Sequence, residues 1–215
     1  MPLPLRNRSS WAGVAVLCGM LGGCASDGLS LLPADSAMPE QLTWLMEHSD
    51  NYAQTADNPL ADVQAGTAID DLRRLSGCWA AYSQGCADQG CLSVYEFLDF
   101  DSQSGTLTRS TVDELIAADG SPSRMVVVES GSYSVIDEGH IHFEIESIRI
   151  TTQITVGGFP VAFSVAETPD APPAYDVNVT LSGESLKTFF VPVPADGGLT
   201  IADQLELIHK QVDCP

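Results

Sequence analysis

The sequence predicts a mainly β fold, an antiparallel up-and-down β-barrel with short N-terminal helices or, as the alternative, a β-sandwich. Three observations carry that expectation. After Gly77 the chain breaks into short, alternating apolar and polar runs at hairpin spacing. Clusters of Gly, Pro, Asp and Ser punctuate those runs. Finally, Cys78, Cys86, Cys91 and Cys214 give this part of the chain an even number of cysteines, the usage of an exported, disulfide-stapled domain.

The first 23 residues follow other rules. Arg6 and Arg8 precede an apolar run from Trp11 to Leu21, and no acidic residue occurs before Asp27, which is the layout of a secretory signal peptide. The run falls short of the roughly 20 residues that a helix needs to cross a bilayer core. Leu21-Gly22-Gly23-Cys24 resembles the lipobox of bacterial lipoproteins. The resemblance implies removal of residues 1–23, a diacylglycerol on the Cys24 thiol and usually an acylated terminal amine. Two or three acyl chains anchor a protein stably where one does so only marginally. Ala25, not Asp, follows the cysteine, which in that family implies the outer membrane and, as the expectation here, its periplasmic face.

Loss of Arg6 and Arg8 leaves seven basic side chains against 29 acidic ones, a formal charge of −22 for the mature chain. Such a balance excludes nucleic acid or an anionic bilayer surface as an electrostatic partner. The acidic residues are spread along the chain, as a solvated surface in a salty medium requires, although they could also attract cations or basic partners.

Residues 24–67 read as a lipid-anchored tether with one helical insertion. In "MPEQLTWLMEHSDNYA", Pro39 stands near a helix start, Glu40 lies in the first turn, and Leu42, Leu45 and Met46 share a face. Residues 68–215 read as the folded domain. Thr67 is expected to cap a second short helix, Ala68 to Leu75, with Ile69, Leu72 and Leu75 on one side. Eleven strands follow: 78–83, 92–100, 106–115, 124–128, 132–136, 140–145, 148–156, 161–166, 175–181, 188–193 and 204–210. "DSQSG", "ADGSPS", "ESG", "DEG", "GGFP", "PDAPP", "SGES" and "PADGG" serve as turns between them.

Four cysteines allow three pairings. "GCADQGC" has loop composition, so a Cys86–Cys91 bridge would staple it and leave Cys78 to join the first strand to Cys214 at the chain's end. A zinc site is the rival reading, but the Cys-x4-Cys spacing departs from common structural pairs.

Leu75-Ser76-Gly77-Cys78-Trp79 resembles the Gly-x-Trp opening of lipocalins and bacterial lipocalin-like domains. "YEFLDFDSQSGTLT" and "GSYSVIDEGHIHFEI" look like hairpins of the same domains. The resemblance implies an up-and-down barrel over residues 68–215, entered by a short helix, with Trp79 packed across its closed end. The Thr-Asp-Tyr motif of the animal proteins is absent, and the last strand offers His209 and Lys210 but no Arg to cover Trp79. In a closed barrel the first and last strands pair, which is where Cys78 and Cys214 would meet.

Chemistry-bearing patterns are few. "HIHFEIE" puts His140, His142, Glu144 and Glu146 on one strand face, a donor set that could hold Zn, Mn or Fe, although a solvated outer face gives the same pattern. "DFDSQSG" lacks the glycine and glutamate that a Ca²⁺ loop needs and reads as a hairpin turn. No Gly-x-Ser-x-Gly, His-Glu-x-x-His, phosphate loop or Ser-x-x-Lys occurs. The expectation is therefore a non-enzymatic envelope lipoprotein without a cofactor, binding a small apolar or amphipathic ligand in its barrel. Trp79, Tyr95, Phe97 and Phe143 are the expected lining residues, since "VYEFLDF" is apolar on both faces. A scaffold or interaction lipoprotein is the alternative and a metal-dependent enzyme the third reading.

Overall fold

Period-two alternation from Gly77 onward becomes a continuous antiparallel sheet in the computed structural model, which describes residues 30–32, 38–52, 67–68, 72–87, 90–118, 120–156, 159–167, 173–193, 200 and 202–214. Two short strands come first, β1 (Ser30–Leu32) and β2 (Thr67–Ala68). Next are β3 (Gly77–Ala87), β4 (Gly90–Asp101), β5 (Thr106–Ala117), β6 (Pro122–Asp137) and β7 (His140–Val156). β8 (Phe159–Glu167), β9 (Ala174–Ser182), β10 (Ser185–Val193) and β11 (Leu207–Val212) complete the described strands.

Eight of these strands close on themselves in the order β3-β4-β5-β6-β7-β9-β10-β11, with β11 returning to β3. The fold is thus the up-and-down barrel, not the sandwich. β7 is long enough to have two neighbours on one edge. Its residues His140 to Glu144 pair with β9 and close the barrel, while Ile148 to Val156 pair with β8. β1 adds to the outer edge of β8, and β2 adds to β9.

Both expected disulfides are formed. Cys78–Cys214 ties the start of β3 to the end of the chain with Cα atoms 5.3 Å apart, beside the pairing of Val212 with Cys78. Cys86–Cys91 bridges directly paired positions at the far end of β3 and β4.

Three local expectations change. Strands 124–128 and 132–136 are one strand, β6, because "ESG" is not a turn. Gly131 lies at a register shift against β7, where a Cβ would sit 1.9 Å from the Glu144 carbonyl oxygen, so only glycine lets the two backbones approach. Strands 140–145 and 148–156 likewise merge into β7. The extra residue absorbed at that bulge keeps Ile148 and Ile150 on the interior side with Ile141, Phe143 and Ile145, although the apolar spacing slips from two to three. Finally, the described part of the expected Ala68–Leu75 helix is not α-helical. Thr67 and Ala68 pair with β9, and Leu72–Arg74 form a 3₁₀ turn leading into β3, while residues 69–71 lie outside the described residues.

Helix α1 (Glu40–Glu47) starts directly after Pro39 and covers the outer wall of the barrel. Its Leu42 and Leu45 are fully buried against Ala80, Tyr82, Tyr95, Phe97, Val112 and Val126. Burial of each leucine contributes roughly 2 kcal/mol toward holding the helix there. Inside the barrel, Leu75 and Trp79 close the base, with the indole N–H donating to the Leu75 carbonyl at 2.8 Å. Residues 1–23 and Cys24 lie outside the described residues, so the leader and the anchor remain sequence expectations.

Candidate functional site

Of the four expected lining residues, the fold sends two inward. Trp79 and Phe143 belong to the interior cluster. Tyr95 and Phe97 do not line the lumen. In β4 the inward side chains are Val94, Glu96, Leu98 and Phe100, so Tyr95 and Phe97 point outward beneath α1. Burial of the Tyr95 hydroxyl, helped by the neighbouring Tyr82, pushes its pKa up to about 12.

The expected metal set does not come together. His140 and His142 sit on the outer face, and each imidazole pairs with its own carboxylate, His140 with Asp137 and His142 with Asp176 at 2.9 Å. Glu144 and Glu146 are exposed beside them. Among the described residues, the three potential donors that lie within 4.8 Å of one another are Cys78, Asp99 and Cys214, and both of those thiols are spent on a disulfide.

The polar centre of the molecule is inside the barrel. Arg109 on β5 is 0 % exposed, and its guanidinium meets three carboxylates. Its Nε donates to Glu96 Oε2 at 2.7 Å, with Nη2 2.6 Å from the same oxygen. Its Nη1 donates to Asp203 Oδ1 at 2.6 Å and to Glu129 Oε2 at 3.3 Å. The Tyr175 hydroxyl donates to Glu129 Oε1 at 3.0 Å and lies 3.4 Å from Asp203 Oδ2. His209 Nε2 is 2.9 Å from Glu96 Oε1, while its Nδ1 is 3.3 Å from the Leu186 carbonyl. The Phe190 ring stacks on Arg109, 3.9 Å from Cζ to centroid, and Tyr175 flanks it at 5.3 Å.

Burial alone would drive these charges to neutral forms, and the pairing decides which survive. Desolvation raises the Glu96 carboxyl, but Arg109 and His209 outweigh it and hold the group below the usual carboxylate range. Glu129 goes the other way. Its desolvation, with Asp203 and Glu96 adding like charge, exceeds the help from Arg109 and lifts its pKa to about 7. Burial and the Glu129 charge hold the Tyr175 phenol well above its ordinary value, so it remains a donor. Desolvation opposes the charge on Arg109 too, yet the three carboxylates raise its pKa further.

Two of the three acids on Arg109 come from barrel strands, and the third does not. Asp203 sits on a 3₁₀ turn, Ala202–Gln204, in the connection between β10 and β11. The Thr200 N–H donates to Asp203 Oδ2 at 2.8 Å, and the Asp203 N–H donates to Thr200 Oγ1 at 3.3 Å, so the turn caps itself. Ala202 packs with Ala81, Val94 and Leu207, and Leu205 abuts the same cluster at the barrel mouth.

Sequence reasoning missed Glu96, Arg109, Glu129, Tyr175, Asp203 and His209. A signal was present for three of them. Glu96 shares the inward parity of Val94 and Leu98, Arg109 that of Leu107, and Glu129 that of Val127, which makes each a charged residue on an apolar face. A separate cavity of about 380 Å³ lies outside the barrel, between the start of α1 and the outer faces of β4 to β7, with Met38, Phe97, Asp99, Val128 and Arg149 among its lining.

No family model, curated protein or solved structure matches the chain.

Proposed function

We propose that the chain is a bacterial envelope lipoprotein, anchored in the outer membrane through Cys24, whose lipocalin-like barrel takes up one small amphipathic molecule. The barrel itself is observed; the envelope address rests on the lipobox resemblance. The observation that carries the binding reading is the way the lumen is closed. Its base is apolar and its centre charged, while its mouth is covered by a self-capped turn from the β10–β11 connection. Opening that mouth would break no barrel pairing, so a molecule with an apolar body and a polar group could enter without unfolding the wall.

A second reading, an envelope scaffold without ligand, is favoured by one specific feature. Trp79, Phe100, Phe143, Tyr175 and Phe190 are each at most 1 % exposed, and eight-strand barrels can be filled by side chains alone. Native mass spectrometry of the mature chain after incubation with an envelope lipid extract separates the two. One discrete adduct, lost on denaturation, supports uptake; a clean apo mass refutes it and moves the search to protein partners.

A further inference from the structure

Asp203 and its turn have the chemistry of a ligand. The turn delivers one carboxylate to Arg109 Nη1 and two apolar side chains, Ala202 and Leu205, to the mouth cluster of Ala81, Val94 and Leu207. It reaches this seat from a connection, whereas Glu96 and Glu129 reach theirs from strands paired on both edges. If the turn moved out, its seat would expose the Arg109 Nη1 donor beside the Tyr175 hydroxyl, the Phe190 ring against the guanidinium, and an apolar rim.

We infer that the Ala202–Gln204 turn is a built-in plug, and that the ligand of this barrel is a monocarboxylate with a short apolar body that displaces Asp203 from Arg109. The inference rests on the uptake reading and names its ligand class. A carboxylate is favoured for a physical reason. A neutral ligand would leave Arg109 short of one of its three acids, whereas a carboxylate replaces the lost negative charge and the bidentate-capable acceptor. Because plug and ligand compete for one seat, the apparent affinity is the intrinsic affinity reduced by the small fraction of molecules in which the plug is out. Weakening the plug therefore tightens binding without any new contact to the ligand.

The test uses decanoate and, as a probe of the same apolar length without the charge, 1-decanol. With the mature chain, decanoate is expected to speed hydrogen exchange at the Ala202 to Leu205 amides, and 1-decanol is not. Asp203→Asn is expected to bind decanoate at least about tenfold more tightly than the parent chain. Should the variant not fold, the exchange experiment on the parent chain decides alone. Decanoate binding that leaves those amides protected, or equal binding of both probes, overturns the plug while the uptake reading stands. Binding of neither probe overturns both.

Discussion

Arg109 and Asp203 are 94 positions apart in the chain and 2.6 Å apart in the barrel, joined where neither is exposed. Burying a charge is costly unless it is paired and hydrogen-bonded, so the contact binds the fate of the β10–β11 connection to that of the barrel wall. Stability and the acidity of the barrel interior then depend on the same few side chains.

Removing the cation should be the most damaging single change in the lumen. Arg109→Met leaves Glu96, Glu129 and Asp203 buried without their common partner, and the loss should be about 3–5 kcal/mol at pH 7. Urea unfolding measures it. The deficit should shrink as the pH falls, because protonated carboxyls no longer repel one another.

Glu129 should make stability pH-dependent in an unusual direction. Its native pKa, about 7, lies above the ordinary carboxylate value of 4.5, so between those values the native state binds more protons than the unfolded one. Stability from this group is therefore complete below about pH 4.5 and is lost as the pH rises through 7, by about 3 kcal/mol at most. Glu96, held low, acts oppositely and loses its contribution only as the solution becomes strongly acidic. Melting temperatures from pH 5 to 8 should fall for the parent chain and stay nearly level for Glu129→Gln, which mimics the protonated acid.

The bulge should not tolerate a methyl group. Gly131→Ala places a Cβ against the Glu144 carbonyl and should cost about 1–3 kcal/mol through backbone displacement. Gly85→Ala, with nothing within 4 Å of its Cβ, is the control and should stay within about 0.5 kcal/mol in denaturant titrations.

The two disulfides should differ in worth. Cys78–Cys214 closes a span of 136 residues and Cys86–Cys91 one of five. In the chain-entropy account these correspond to about 5 and about 2 kcal/mol. Paired Cys→Ser replacements, compared by urea midpoint, should show the larger drop for the long bridge.

The barrel was legible because inward and outward residues alternate with period two, and because Cys78 and Cys214 mark the strands that must meet. Legibility failed where a local signal had two physical causes. "ESG" carries turn residues, yet Gly131 is there for close backbone approach, and the three-residue step from Ile145 to Ile148 looks like a break when it is a bulge. "VYEFLDF" is apolar on both faces since α1 covers one of them, so alternation could not say that Tyr95 and Phe97 face away from the lumen. The charged centre was harder. An acid or base at inward parity is visible in β4, β5 and β6, but its partners depend on strand register, and Asp203 arrives from a connection that no periodicity describes.

Carboxyl-carbon NMR of Glu129 in the folded protein, followed from pH 4 to 9, tests the charged lumen most directly. The account predicts one glutamate resonance, lost in Glu129→Gln, that titrates near pH 7. A Glu129 carboxyl that titrates near 4.5 would place it in water and contradict the buried centre on which the stability, pH and ligand arguments depend.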